Sequence, residues 1–337
     1  MTNLKKINHK LNLLIFVLIF VLYAQSVLSS ENRIIFKIND YPFTSFDLEK
    51  RLEYLDFVGS NQNIDQNLII NDFISANLFY EYYKNLENKE NFENNGFVIL
   101  DTNLDSNEIF NNTVDKIYEE IDDLILKREF KNYGGYMMGN FGINQGSLGK
   151  KLFSLLFQKD FIGLFESLID NKIDNYAINY GGNLTLPKKG LQHFHMDGDF
   201  KKEMYLVSIA TENINLMNGP TEICVGSHKK SLSFWKFFLS KKNKLKLTLN
   251  KGQVLIRRHN LWHRGTKNNT DRYRLLLSFV FIPITKKNQV VPISENLEIL
   301  PNFFKSNISG KIQEFLYVHL RIFHIFFKLI YSFLLKK

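Results

Sequence analysis

The apolar and polar positions follow three different rhythms along the chain. Leu11 to Ala24 is almost wholly apolar, interrupted by Asn12, preceded by Lys5, Lys6 and Lys10, and followed by Ser26, Ser29 and Ser30. A basic start and an apolar run of about fourteen residues describe a signal peptide over residues 1–30, and stretched to Leu28 the same run makes a thin membrane anchor. Both readings stay open at this point. From Arg33 to Asn39 the pattern alternates as a short strand, and Tyr41-Pro42 marks a turn. Thr44 with Asp47 three residues on forms an N-cap box that opens a helix through about Val58. Leu68, Ile69, Phe73, Ile74, Leu78 and Tyr82 predict a second helix over 66–86. The polar run Asn85 to Asn95 then marks a boundary, so residues 31–88 read as a small helical module.

Beyond it, "NNGFVILD" reads as a strand that opens a larger domain, residues 89–290. Ile109, Val114, Ile117, Ile121 and Leu124 recur at helical spacing within 106–128, and a further helix is predicted over 149–169. Tyr133 to Gly142, rich in Gly and aromatics, reads as a loop over the core. From Asn175 onward the pattern turns to β, with turn residues between strand-like runs. Strands are predicted at 174–180, 193–197, 204–210, 221–225, 252–257 and 274–282, and Gly181 to Lys189 reads as a loop. The class is mainly β with helices, and the spacing suits a double-stranded β-helix, a jelly roll or cupin-like core. Residues 309–337 predict one amphipathic helix. Glu314, Arg321, His324, Lys328 and Ser332 share about a third of its circumference, and the rest is apolar. A broad apolar arc of this kind suits a membrane interface; packing on the domain or on a second subunit is the rival.

Composition narrows the classes. Hydrophobic residues make up 45% of the 337, with 31 Phe, enough for a sizeable core. The net charge of +9 raises nucleic-acid binding. The lysines are scattered, however, and no helix-turn-helix or base-stacking motif accompanies them, so no nucleic-acid partner is expected. Cys224 is the only cysteine, which excludes an intrachain disulfide and a thiolate zinc cluster.

The candidate chemistry starts at Leu191 to Asp199, "LQHFHMDGD". In a strand, His195 and Asp197 point to the same side and can grip one ion. With 8 His in the chain, one His-x-Asp is close to a chance event, so the pair needs context. His263, in "GQVLIRRHNLWHRGTKNNTDRYRLLLSFVF", sits at a loop edge between two predicted strands and completes a set of two histidines and one carboxylate. Such a facial set leaves iron(II) positions open for a co-substrate and oxygen. Arg274, eleven residues on, offers the planar fork that a carboxylate anchor requires. His193, Asp199 and Arg272 are the rivals of these residues, and His228, after Gly226-Ser227, reads as a turn residue.

With these residues in place the chain from about Asn91 to Pro283 resembles the phytanoyl-CoA dioxygenase family of iron(II)- and 2-oxoglutarate-dependent oxygenases. The segments "NNGFVILD", "NGPTEICVGSHK" and "WHRGTKNNTDRYR" carry the resemblance. It implies His195, Asp197 and His263 as the catalytic iron ligands and Arg274 as the residue that binds the distal carboxylate of 2-oxoglutarate. It also implies a small-molecule or lipid-like substrate. Halogenases of this superfamily carry a small residue where Asp197 stands, so hydroxylation is the expected reaction. Residues 31–88, around "NDYPFTSFDLEKRL", resemble the start of SurA-like periplasmic chaperones, whose prolyl isomerase domain is absent from the rest of the chain. The alternative reading is therefore an exported or membrane-associated chaperone-like protein with an inactive oxygenase fold. Either way the termini lead one to expect a membrane-associated location.

Overall fold

The computed structural model describes residues 34–38, 41–57, 66–127, 132–240, 243–285 and 294–334, so the predicted signal or anchor over 1–30 lies outside the described residues. The chain divides into two compact units, residues 1–84 and 85–337. In the first unit β1 (Ile34–Ile38) pairs antiparallel with β2 (Tyr41–Thr44), and α1 (Ser45–Phe57) follows. The Asp47 carboxylate accepts from Thr44 N at 2.9 Å and Asp47 N donates to Thr44 Oγ1 at 3.4 Å, the reciprocal bonds of a capping box. α2 (Gln66–Asn95) is longer than predicted, because the polar run read as a boundary continues the helix. The helix stops at Gly96, whose φ of +85° only glycine adopts at low cost. A Cβ there would also meet the His228 ring at 2.4 Å.

The second unit is an all-antiparallel double sheet. Its seven-stranded sheet runs in the order β12 (Glu298–Pro301), β4 (Asn140–Asn144), β5 (Tyr176–Thr185), β11 (Arg274–Pro283), β6 (Tyr205–Ala210), β9 (Val254–Arg258), β3 (Phe97–Leu100). The smaller sheet is β10 (His263–Gly265), β7 (Thr221–Cys224), β8 (Lys244–Leu247). This is the predicted jelly roll. Two departures matter. The stretch 181–185, read as a loop, is the second half of β5, and a Cβ on Gly182 would lie 2.9 Å from Leu276 O, so the glycine lets β11 approach. The segment 193–197 is no full strand and pairs with the smaller sheet only through the isolated β-bridge of His195 to His263 among the described residues.

Strand alternation divides the work of the large sheet. On β11, Leu275, Leu277, Phe279 and Phe281 enter the main core, while Arg274, Leu276, Ser278 and Val280 face the space between the sheets. The core side is covered by α3 (Glu108–Leu126), α4 (Gly146–Leu156) and α5 (Lys159–Ile169). α3 buries Phe110, Val114, Ile117 and Ile121, whereas Ile109, counted in the predicted stripe, is half exposed. The helix predicted over 149–169 is two, broken at Phe157 and Gln158. Phe153, Phe157 and Phe165 interlock with Phe279 and Phe281, with ring centroids 4.6 to 6.5 Å apart across the helix–sheet joint.

A short helix α6 (Phe234–Leu239) follows β7, and the C-terminal stretch folds as α7 (Ile308–His319) and α8 (Arg321–Leu334). The single helix predicted over 309–337 is thus broken at Leu320, which has φ −129° and ψ 54°. Buried Glu314 accepts from Met138 N at 2.9 Å and Tyr317 OH donates to Leu191 O at 3.2 Å, so α7 is pinned beside the 191–195 segment. No helix among the described residues is long and apolar enough to cross a membrane.

Candidate active site

His195 and His263 come together through backbone pairing. Each N–H donates to the other's carbonyl, at 2.9 and 3.0 Å, so both rings project to one side with centroids 4.4 Å apart. Each Nδ1 lies against the carbonyl two residues upstream, His195 to His193 O at 2.9 Å and His263 to Leu261 O at 2.8 Å. A carbonyl there places the proton on Nδ1 and leaves the Nε2 lone pair free. Burial, reinforced by the neighbouring His263, pushes the His195 pKa down to about 3, so the ring is neutral. Asp197 follows where its N–H donates to His259 O at 3.1 Å. Its Oδ1 lies 3.7 Å from His195 Nε2 and 3.4 Å from His263 Nε2. The donor atoms of the three residues lie within 4.8 Å of one another. Two imidazole Nε2 atoms and one carboxylate are the donor set suited to iron(II) with open positions.

The carboxylate is held from behind. Buried Arg257, on β9, donates from Nη2 to Asp197 Oδ2 at 2.6 Å. Burial by itself would raise the Asp197 pKa, but the neighbouring His263 ring and the Arg257 guanidinium hold it well below the ordinary carboxylate range. Arg257 thereby fixes which oxygen is offered to the pocket. Second-sphere partners of metal ligands are worth about 10- to 100-fold in metal affinity. Arg257→Leu is expected to weaken iron binding within that range with all three donors present, as read by metal titration under anaerobic conditions. Unchanged affinity would remove Arg257 from this role.

Arg274 stands at the start of β11, opposite Thr185 on β5, and donates from Nη2 to Thr185 Oγ1 at 2.9 Å. It is buried, and its Nε has no partner among the described residues. Desolvation draws its pKa down to about 10, opposed by Glu212 and Tyr118, so it stays a cation. A buried guanidinium with an unused N–H is costly unless an anion occupies the space in front of it. That space exists. Arg274 shares a cavity of about 270 Å³ with His195, Asp197, Arg257 and His263. Its wall includes Ser208 and Ser278, whose hydroxyls meet at 2.8 Å across β6 and β11. At the same cavity, Phe303 packs edge-on against His195, centroids 4.6 Å apart, from a left-handed backbone with φ of 62°.

The remaining candidates lie elsewhere. His193 turns to the far side of its segment, where its Nε2 meets Lys328. Asp199 accepts from Lys201 N, and its carbonyl oxygen lies 2.7 Å from His259 Nε2. Arg272 is exposed and borders a different, surface pocket. His228 Nε2 lies 3.0 Å from Glu93 O, at the C-terminal end of α2. Arg257, Gln192 and Phe303 line the cavity without having been singled out from sequence. Gln192 Oε1 accepts from Gly265 N at 2.6 Å and ties the 191–195 segment to β10.

A jelly roll that gathers two histidines, one carboxylate and a buried arginine in a single cavity defines a 2-oxoglutarate-dependent non-haem iron oxygenase. The profile of the Phytanoyl-CoA dioxygenase (PhyH) family matches residues 92–276, and the chain belongs to that family. Its cofactor is iron(II) and its co-substrate 2-oxoglutarate. No curated protein sequence matches the chain. Among solved structures it is similar to AviO1 from Streptomyces viridochromogenes, with 14% identity and a TM-score of 0.45, over 62% of this chain and 98% of that one. It is also similar to the non-haem α-ketoglutarate-dependent epimerase SnoN from nogalamycin biosynthesis, with 15% identity and a TM-score of 0.44, over 60% and 81%. The carbocyclase SnoK from the same biosynthesis gives 13% and 0.44, over 64% and 95%.

Proposed function

We propose that the protein hydroxylates a small organic or lipid-like substrate, converting R–H, O₂ and 2-oxoglutarate into R–OH, succinate and CO₂. The observation that carries this reading is one cavity holding both a two-histidine, one-carboxylate donor set and a buried arginine with an unused N–H. In it, His195 Nε2, His263 Nε2 and Asp197 Oδ1 hold the iron, and Arg274 binds the distal carboxylate of 2-oxoglutarate by charge-assisted hydrogen bonds. Bound iron supplies the redox centre for oxidation of the co-substrate and reduction of oxygen. The side chains supply position and dryness. The two Nδ1 contacts stop the imidazoles from turning, Arg257 orients the carboxylate, and Phe303 covers His195 against water. Asp197 supports hydroxylation over halogenation, because its carboxylate fills the position that a halide would need.

Anaerobic addition of iron(II) and 2-oxoglutarate to the full chain is expected to give the weak visible charge-transfer absorption of the chelate. Admission of air is then expected to release succinate. A chain that neither binds iron nor consumes 2-oxoglutarate overturns the reading.

A further inference from the structure

The polar stripe of α8 borders a cavity and its apolar arc points out. Arg321, His324 and Lys328 line a second cavity of about 310 Å³, walled by His193, Phe194, α6 and Tyr317. It lies on the other side of the 193–195 segment and β10 from the iron site: Arg264 lines it, whereas His263 and Gly265 line the first cavity. Four cations border it, Lys244, Arg264, Arg321 and Lys328. Glu222 pairs with Arg264. Among the described residues none of the other three has a carboxylate partner. Lys244 and Arg264 both stack on the Phe194 ring, at 5.1 and 4.6 Å, and Lys328 reaches the imidazole of His193. Although much of the Lys328 residue surface is exposed, its surroundings are crowded enough that desolvation, with no carboxylate to offset it, pushes its pKa down to about 8. Like-charged groups held together over aromatic walls call for an anion.

The outward face of α8 sets the source of that anion. Ile322, Phe323, Phe326, Phe327 and Phe333 are each more than half exposed, and Phe238 and Leu239 of α6, across the cavity, are too. With each phenyl ring presenting on the order of 100 Å², this patch reaches or passes the roughly 300–600 Å² of the largest patch on a typical monomer. A second copy docked two-fold on this face would set basic cavity against basic cavity. An anionic bilayer answers both features at once, acyl chains to the aromatic arc and headgroups to the cations. We propose that α8 lies in the membrane interface with this arc toward the lipid, and that the cavity beneath it binds the phosphate-bearing headgroup of an anionic lipid. The proposal stands independently of the oxygenase assignment.

Flotation of the full chain with phosphatidylcholine vesicles, and with equimolar phosphatidylcholine and phosphatidylserine, tests it. The variant Arg321→Gln/Lys328→Gln is expected to bind the mixed vesicles about 30-fold more weakly than the parent, at about one surface charge's worth of attraction per residue removed. Phe326→Ser/Phe327→Ser is expected to weaken binding to both compositions. All variants share the N-terminal apolar segment, so its contribution cancels, and thermal melts confirm that each is folded. A second readout follows α8 itself. Phe327→Cys carrying an environment-sensitive fluorophore is expected to shift to the blue on mixed vesicles, the native Cys224 being buried and unlabelled. Equal affinity of the parent and the charge variant for mixed vesicles overturns the proposal. So does a fluorophore indifferent to lipid, and so does displacement of the parent from mixed vesicles by inorganic phosphate with no preference for phosphatidylserine, which would assign the cavity to a soluble anion.

Discussion

His195→Ala is expected to abolish iron binding and 2-oxoglutarate turnover while leaving the fold standing. Turnover should fall by at least about a thousandfold, equivalent to about 4 kcal/mol in the barrier. The reason to choose His195 over Asp197 is electrostatic. His195 is neutral, and its Nδ1 partner is a backbone carbonyl, so truncation leaves no buried charge unpaired. The loss is ring packing against His263 and Phe303, an effect of about 1–2 kcal/mol in stability. Asp197→Ala is expected to fail twice. It removes a donor and also strands the Arg257 guanidinium, and breaking a buried ion pair from one side costs about 3–5 kcal/mol. A quarter of the Asp197 side chain remains open to solvent, which places the cost at the lower end. Asp197→Asn separates the two effects, because an amide oxygen still accepts from Arg257 while the anionic ligand is gone. Metal analysis, succinate release and a thermal melt on the three variants read this out. A His195→Ala protein with parental turnover would remove the residue from the site.

The parts of the site legible in the sequence are those encoded by local spacing. His195 and Asp197 are two apart, and Arg274 follows His263 at a short fixed distance, so neither relation needs the fold. Arg257 was not legible, because its role depends on a register between β9 and the 195–199 turn that brings residues sixty positions apart within 2.6 Å. In sequence it is a basic residue closing an apolar strand, indistinguishable from Arg258, which turns to the opposite face and stacks on Phe92 and Tyr205. The fold follows the same division. The near-continuous apolar runs of β6, β9 and β11, bounded by turn residues, mark those strands to within about two residues. The end of β5 was missed because Gly181-Gly182 imitates a loop, and its reason for being glycine, the nearness of Leu276 O, lies on another strand. α8 shows the limit of amphipathic reading. The stripe is legible, but periodicity says only that two faces differ, and in this protein the polar one borders a cavity while the apolar one is exposed.

Arg274→Leu is expected to raise the KM for 2-oxoglutarate by about a hundredfold or more with little change in iron affinity. At least two hydrogen bonds to a charged group are lost, each worth about 1.5–3 kcal/mol, and about 3 kcal/mol corresponds to a factor above one hundred. Arg274→Lys keeps the charge but not the planar fork, and an intermediate rise of about tenfold is expected. The stability of the ligand-free protein carries the opposite sign. Among the described residues, Arg274 is buried with its Nε unpaired and a single protein hydrogen bond, to Thr185, which retains Asn140 and Asn183 as partners. Replacing a poorly satisfied buried charge by an apolar side chain is often neutral or stabilising, so the melting temperature without ligand is expected to hold or rise. At a hundredfold excess over the dissociation constant, 2-oxoglutarate should stabilise the parent by about 2.7 kcal/mol, and this increment should fall to about 0.4 kcal/mol or less in Arg274→Leu at the same concentration. Arg272→Leu supplies the control, since that residue borders a different pocket and should leave KM alone. A KM unaffected by Arg274→Leu, or raised equally by Arg272→Leu, would mean that the co-substrate is held elsewhere. The unpaired Nε would then be nothing more than a cost that the barrel tolerates.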